Sequence, residues 1–287
     1  MKKTMLSIVF IELFYSFYAM ASPCNDALIT GKFDEAIHQG EQDSSFDGRL
    51  CTARALLALG SVKDASSYLE QAVKLSQTPY EKMLVATYQG RASKALGDTP
   101  SAILYFQRAA ALAAEVGQKQ AQWFNLNALG QIQLDSKSVE PALETFLKAY
   151  AFAANDNERS ESDQLISSAY KAKGDMNHAI EYQLKATLLE KRSGELTEYV
   201  DAVLELADLR ITNKELVAAE KNIREVMGIT SEAKSDYWSA RAFYVLAKLE
   251  YTKGDVAAYK QARLDARSYA EKAGDKTLQQ QVEGLKE

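Results

Sequence analysis

From Ser22 onward, apolar residues recur at the three- and four-residue spacing of an amphipathic helix, and a Gly or a polar pair interrupts them at intervals. Alternating runs of Val, Ile, Thr and aromatic residues bounded by Asn-Gly or Gly-Gly turns, the mark of strands, do not occur. Pro is scarce, with four in the whole chain, so little in the sequence would break a helix. The pattern predicts a chain that is nearly all helix.

The interruptions share a local sequence. It runs Gly31-Lys32-Phe33-Asp34-Glu35-Ala36-Ile37, then Gly60-Ser61-Val62-Lys63-Asp64-Ala65 and Gly97-Asp98-Thr99-Pro100-Ser101-Ala102. It returns at Gly174-Asp175-Met176-Asn177-His178-Ala179 and Gly254-Asp255-Val256, with weaker copies at Lys137 to Ala142 and Lys214 to Ala219. Each reads as a helix end pressed against a helix start. Gly takes the left-handed conformation that closes one helix, the next Asp or Ser caps the other, and the apolar residue two places after the Gly packs at the turn.

Aligned on that turn, three columns of small residues appear. Seven positions upstream stand Cys24, Ala53, Gly90, Gly130, Ser167, Ala207 and Ala247. Five positions downstream stand Ala36, Ala65, Ala102, Ala142, Ala179 and Ala219, with Tyr259 breaking the rule. Twelve positions downstream stand Ala72, Ala109, Ala149, Ala186, Val226 and Ala266, with Asp43 the exception. Small residues at fixed places on two successive helices let those helices approach closely.

This set of positions resembles the tetratricopeptide repeat, a helix-turn-helix unit of about 34 residues. The best copy is Leu126 through Ala149, where Leu126, Leu129-Gly130, Ala142, Phe146 and Ala149 fall in the family's places; Phe106 with Ala109 and Leu69 with Ala72 match its second helix. The family's first-helix Trp is not at its place, its terminal Pro is mostly absent, and the Ala columns are spaced by 29, 37, 40, 37, 40 and 40 residues. Units of this length resemble bacterial sensor and adaptor arrays. The resemblance implies an all-α fold, a right-handed superhelical solenoid in which each unit buries its apolar face against the next. It would form one domain over residues 22–287 in about seven units, with a trimmed first unit at one end and a polar capping helix at 275–287 at the other.

Residues 1–21 stand apart from this pattern. Lys2 and Lys3 precede a mostly apolar stretch from Thr4 to Ala19, interrupted by Glu12, and Ala19-Met20-Ala21 supplies a small-x-small cleavage pattern. That is the layout of a secretory signal peptide cut after Ala21, which predicts a periplasmic or secreted protein. An uncleaved anchor is the alternative, and Pro23 argues against a lipid on Cys24. No other stretch is long and apolar enough to span a bilayer.

The whole chain carries a net charge of −5, and the leader holds two Lys and one Glu, so residues 22–287 carry −6. A mildly acidic, interspersed charge pattern gives no support for a nucleic-acid partner. Two cysteines, Cys24 and Cys51, are most simply a disulfide in an oxidising compartment, the alternative being two buried thiols.

Catalytic signals are weak. His38 and His178 lie far apart, each beside a turn, and no metal-binding, phosphate-loop or nucleophile-elbow motif occurs, so no metal, no cofactor and no enzymatic activity are expected. Carboxylate pairs such as Glu140 and Glu144 read as a wet helix face.

Binding is what the resemblance implies, because the first helix of each pair lines a concave groove in the family. The expected groove positions are Arg54, Arg91, Lys94, Phe124, Asn127, Gln131, Gln164, Lys171, Arg241, Tyr244, Lys248 and Tyr251. Arg54, Arg91 and Lys94 form a basic cluster in an acidic chain, Asn127 and Gln131 lie one turn apart and suit a peptide backbone, and Tyr244 and Tyr251 flank Lys248. The set does not match the family's chaperone-tail carboxylate clamp. Trp123 and Trp238 read as packing residues. The expected function is a protein- or peptide-binding scaffold of the cell envelope whose partner carries acidic groups. The alternative is a ligand-sensing module of a signalling system.

Overall fold

The computed structural model of the chain describes residues 22–193 and 196–285, and the leader at 1–21 lies outside them. The described residues form helices and contain no strand. They divide into two compact units, with the boundary between Ala154 and Asn155.

Unit 1 holds α1 (Pro23–Ile29), α2 (Phe33–Gln42), α3 (Phe46–Ala58), α4 (Val62–Leu75), α5 (Pro79–Ala95), α6 (Thr99–Glu115), α7 (Lys119–Asp135) and α8 (Val139–Tyr150). Unit 2 holds α9 (Asp156–Lys173), α10 (Met176–Ser193), α11 (Leu196–Thr212), α12 (Leu216–Ala233), α13 (Asp236–Lys253), α14 (Val256–Ala273) and α15 (Lys276–Glu283). In each unit consecutive helices pack as antiparallel pairs, and each pair stacks on the next.

The turns behave as their residues demand. Gly31, Gly60, Gly97, Gly174 and Gly254 all adopt positive φ, and so do Lys137 and Lys214 in the two weaker copies. A Lys there carries a steric cost that Gly avoids. The caps are selective. Asp98, Asp175 and Asp255 accept from the backbone N–H of Ser101, His178 and Ala258. Lys32 and Ser61 make no such bond. Thr78 and Glu81 bond reciprocally at the start of α5, with Pro79 in the first helical position.

The small-residue columns form the seams. Every Ala of the second column is fully buried, as are Ala72, Ala109, Ala149, Ala186, Val226 and Ala266 of the third. The exceptions follow from position: Tyr259 is buried as a larger filler in the last pair, and Asp43 is exposed just beyond α2. In the first column Cys24 is joined to Cys51, tying α1 to α3. Around that tie pack Ala27, Leu28, Ala36 and Ala55. Leu50, Leu69, Val85 and Tyr88 fill the next layer. In unit 2, Val200, Leu204, Ile223, Val226 and Leu249 make a continuous apolar layer, each large side chain contributing about 1.5–3 kcal/mol on burial.

The last described helix packs on the one before it. Asp275 starts α15 by accepting from the Leu278 N–H, and Leu278 and Val282 cover Ala266 and Ala270. The Gln279 amide donates to the Ala270 carbonyl at 3.1 Å. Gln280 and Gln281 of α15 are exposed.

Candidate functional site

In unit 1 the structure brings Arg54 of α3 and Arg91 of α5 together at one aromatic ring. Their guanidinium carbons lie 5.5 and 5.3 Å from the centroid of Tyr88, within cation–π range. Arg91 follows Tyr88 by three positions on α5, so one helical turn sets that contact. Arg54 is itself buried and donates to the Asn25 side-chain oxygen of α1 at 3.2 Å.

The electrostatics of this cluster are unusual for an acidic chain. Burial lowers the Arg91 pKa and the nearby charge of Arg54 adds to that, while the Tyr88 phenol opposes them. A guanidinium stays cationic through shifts of this kind. Among the described residues Arg91 and Lys94 meet no carboxylate at ion-pair distance. Arg91 is half-buried and Lys94 exposed. Burial also raises the phenol pKa of Tyr80, at the start of the same helix. The arrangement is two cations over one ring, one of them without an anionic partner.

Asn127 and Gln131 do not form the open pair expected from their spacing. Asn127 is buried, and neither atom of its amide is solvent-accessible or hydrogen-bonded among the described residues. Gln131 donates instead to Asp135 at 2.8 Å, one turn further along α7. Polar residues at helical spacing share a face, but close packing decides whether that face is wet.

In unit 2 the expected cations are already paired. The Lys171 ammonium lies 2.8 Å from Glu205 and 3.5 Å from Asp208. Lys248 bonds to the other oxygen of Asp208, and Arg241 to Asp201. The result is a charge ladder across α9, α11 and α13. Burial alone would lower the Lys171 pKa; the charge and hydrogen bond of Glu205, then those of Asp208, outweigh it and hold the ammonium above its ordinary value. Tyr244 packs partly under Lys248, at 5.7 Å, and the exposed Tyr251 meets Tyr259 edge-on. Sequence reading marked these cations but missed their acceptors. Their signal was the spacing: Asp208 stands 40 residues before Lys248, and Asp201 40 before Arg241, one repeat length in each case.

The two His are accounted for locally. His178 Nδ1 lies 2.6 Å from Asp175 and its ring stacks on Tyr170, while His38 meets Gln42. Hydrogen bonds from the His178 backbone, then from its side chain, hold the Asp175 carboxyl below its usual range. Trp123 is buried. Among the described residues no group of His, Cys, Asp and Glu is arranged to hold a metal ion. No described helix is long and apolar enough to cross a membrane.

Stacked antiparallel helix pairs with small-residue seams define a tetratricopeptide-type helical repeat fold. Residues 164–192, spanning most of α9 and α10, match the tetratricopeptide repeat profile. Solved structures share the fold. A signal transduction ATPase with a tetratricopeptide repeat sensor from Pyrococcus horikoshii superposes with a TM-score of 0.76 at 17% identity, over 91% of this chain and 44% of that one. The apo form of RapI matches with a TM-score of 0.66 at 15% identity, over 83% of this chain and 94% of the other. The C-terminal part of a repeat-containing protein from Cytophaga hutchinsonii matches with 0.64 at 14%, over 92% and 98%. At these identities the likeness is one of fold. No curated protein matches the chain by sequence.

Proposed function

We propose that the chain is a binding scaffold that works outside the cytoplasm, and that unit 1 captures an acidic segment of a protein or peptide partner at Arg91. The observation that carries this reading is the half-buried Arg91 guanidinium, packed on Tyr88 beside Arg54 with no carboxylate partner among the described residues. Two like charges held together favour an anion between them, and a guanidinium recognises a carboxylate by two parallel hydrogen bonds. Lys94 adds charge at the rim. In unit 2, by contrast, Lys171, Arg241 and Lys248 are neutralised within the fold, so they add little attraction for an acidic partner.

The exported location rests on the leader pattern and on the Cys24–Cys51 pairing, which suits an oxidising compartment. The chemistry required is recognition, with no catalytic step. A second reading, a ligand-sensing module, draws on the likeness to the Pyrococcus horikoshii protein, whose repeat array is described as a sensor.

The test is capture in the native envelope by crosslinking, followed by titration of the captured partner's acidic segment. Arg91→Glu with Lys94→Glu is expected to weaken binding roughly tenfold or more while leaving the melting temperature unchanged. The same reversal at Lys248 should lower stability with little direct effect on binding. Capture that ignores Arg91 and Lys94 overturns the reading.

A further inference from the structure

We infer that a carboxylate of the partner takes, beside Lys94, the place that Asp208 takes beside Lys171. The inference rests on the Arg91 and Lys94 reading above and fixes where that site receives its acid. Its basis is the repeat register, which makes unit 1 and unit 2 comparable position by position.

Lys94 stands three positions before the turn residue Gly97, as Lys171 does before Gly174. On the next first helix, Gln131 stands six positions before Lys137, as Asp208 does before Lys214. Nine positions before the same two turns stand Ala128 and Glu205. All four turn residues have positive φ, so the helices around them close in the same way. Lys94 and Gln131 are 37 residues apart, and so are Lys171 and Asp208.

The two settings differ in their acids. In unit 2 the Lys171 ammonium reaches from α9 to α11 and meets Glu205 at 2.8 Å and Asp208 at 3.5 Å. In unit 1 the matching positions of α7 hold Ala128 and Gln131. A methyl group accepts nothing, and the Gln131 amide nitrogen donates to Asp135 at 2.8 Å, on its own helix. Lys94 is exposed and meets no carboxylate at ion-pair distance among the described residues. The repeat thus places the same cation in both units and supplies its acid in one.

The second cation is also matched. Asp208 bonds Lys248 as well, so one carboxylate in unit 2 lies between two cations. In unit 1 Arg91 precedes Lys94 by three positions, one turn away on the same face of α5, and has no carboxylate partner among the described residues. An exposed ammonium paired with one acid contributes little, whereas two cations on one carboxylate hold it in a fixed geometry. The ligand defined in this way is an Asp or Glu side chain that meets Lys94 from the Gln131 side, within reach of Arg91.

The experiment uses the full chain and a fluorescein-labelled hexaglutamate peptide, read by anisotropy, with hexaglutamine as the neutral control. Gln131→Asp builds an acceptor into α7 and is expected to weaken hexaglutamate binding by roughly three- to tenfold, because the new carboxylate occupies Lys94. Gln131→Asn should stay within about twofold of wild type. Ala128→Glu, compared with Ala128→Gln, repeats the test at the position of Glu205. In a Lys94→Ala background Gln131→Asp should change binding by less than about twofold, because its effect runs through Lys94; long-range repulsion of the peptide would act on both backgrounds. Acidic variants that bind like their neutral counterparts, or a full additional loss in the Lys94→Ala background, overturn the inference. If the wild-type chain prefers hexaglutamate and loses that preference on Arg91→Glu with Lys94→Glu, while both acidic variants do nothing, this inference alone falls. If the wild-type chain does not distinguish the two peptides, the acidic-partner reading falls and takes this one with it.

Discussion

Gly130 of α7 lies so close to the ring of Phe146 on α8 that a Cβ built on it would stand 2.6 Å from a ring carbon. Phe146 is fully buried and has nowhere to retreat. Gly90 and Phe106 repeat the relationship one pair earlier, at 3.0 Å. In the next copy Ser167 takes the same place and donates its hydroxyl to the Ala179 carbonyl at 2.7 Å. Gly130→Ala should therefore destabilise unit 1 by about 1–3 kcal/mol from overpacking, despite the better helix propensity of Ala. Gly228, in the exposed interior of α12 with nothing within 4 Å of its position, supplies the contrast. Gly228→Ala should stabilise by about 0.5–1 kcal/mol. Urea unfolding of both variants checks the pair.

Lys214 closes α11 at a φ of 65°, where five of the repeat turns use Gly and one other uses Lys137. Lys214→Gly removes a left-handed strain of about 1–2 kcal/mol and gives back part of it in chain entropy. A net gain of about 0.5–1 kcal/mol in thermal or chemical denaturation is expected. A loss would mean that the Lys side chain, not the backbone, matters at that turn.

Asp163 on α9 is buried with both carboxylate oxygens unbonded among the described residues. Burial pushes its pKa up to about 6, against a partial pull downward from Lys185. A pKa raised on folding makes the ionised form a burden: the cost is full above pH 6 and fades as the pH falls toward the unfolded value near 4. Asp163→Asn should stabilise by about 1–2 kcal/mol at pH 8, a figure discounted for solvent screening, and by almost nothing near pH 4. Glu161 is drawn up to about 7 by desolvation, then by the charges of Glu158 and Glu190, and moves stability in the same direction. Its side chain still meets solvent, so its share is the smaller. Melting curves of wild type and variant from pH 4 to pH 8 give the test, and a pH-independent difference would reject it.

The Cys24–Cys51 bond closes a segment with a separation of 27 residues. Loop-closure entropy assigns it about 3–4 kcal/mol. Cys24→Ser/Cys51→Ser should lower the denaturation midpoint of unit 1 accordingly and leave that of unit 2 in place. Hydrogen exchange resolved by segment would report the change first in α1 and α2.

Much of this fold was legible in the sequence because a repeat writes its constraints many times over. Ala36, Ala65, Ala102, Ala142, Ala179 and Ala219 are each fully buried, and their regular spacing was visible without coordinates. The candidate site was legible only in part. Arg54, Arg91, Lys171 and Lys248 were marked as cations on first helices, but whether each was free was not. Tyr88 was within reach, three positions before Arg91, yet a Tyr on a helix declares no partner by itself. Asn25 carried no signal at all.

By itself the sequence determined the helix pairs, their turns and their small-residue seams, because these follow from local backbone preference and from periodic burial. Tertiary structure alone decided which polar side chains are paired within the fold and which are not. Asp208 neutralises Lys248, Asn25 accepts from Arg54, packing closes over Asn127, and Arg91 meets a ring and no carboxylate among the described residues. Such pairings join residues tens of positions apart, and a charge is cancelled by what lies within a few ångströms in space, whatever its distance along the chain.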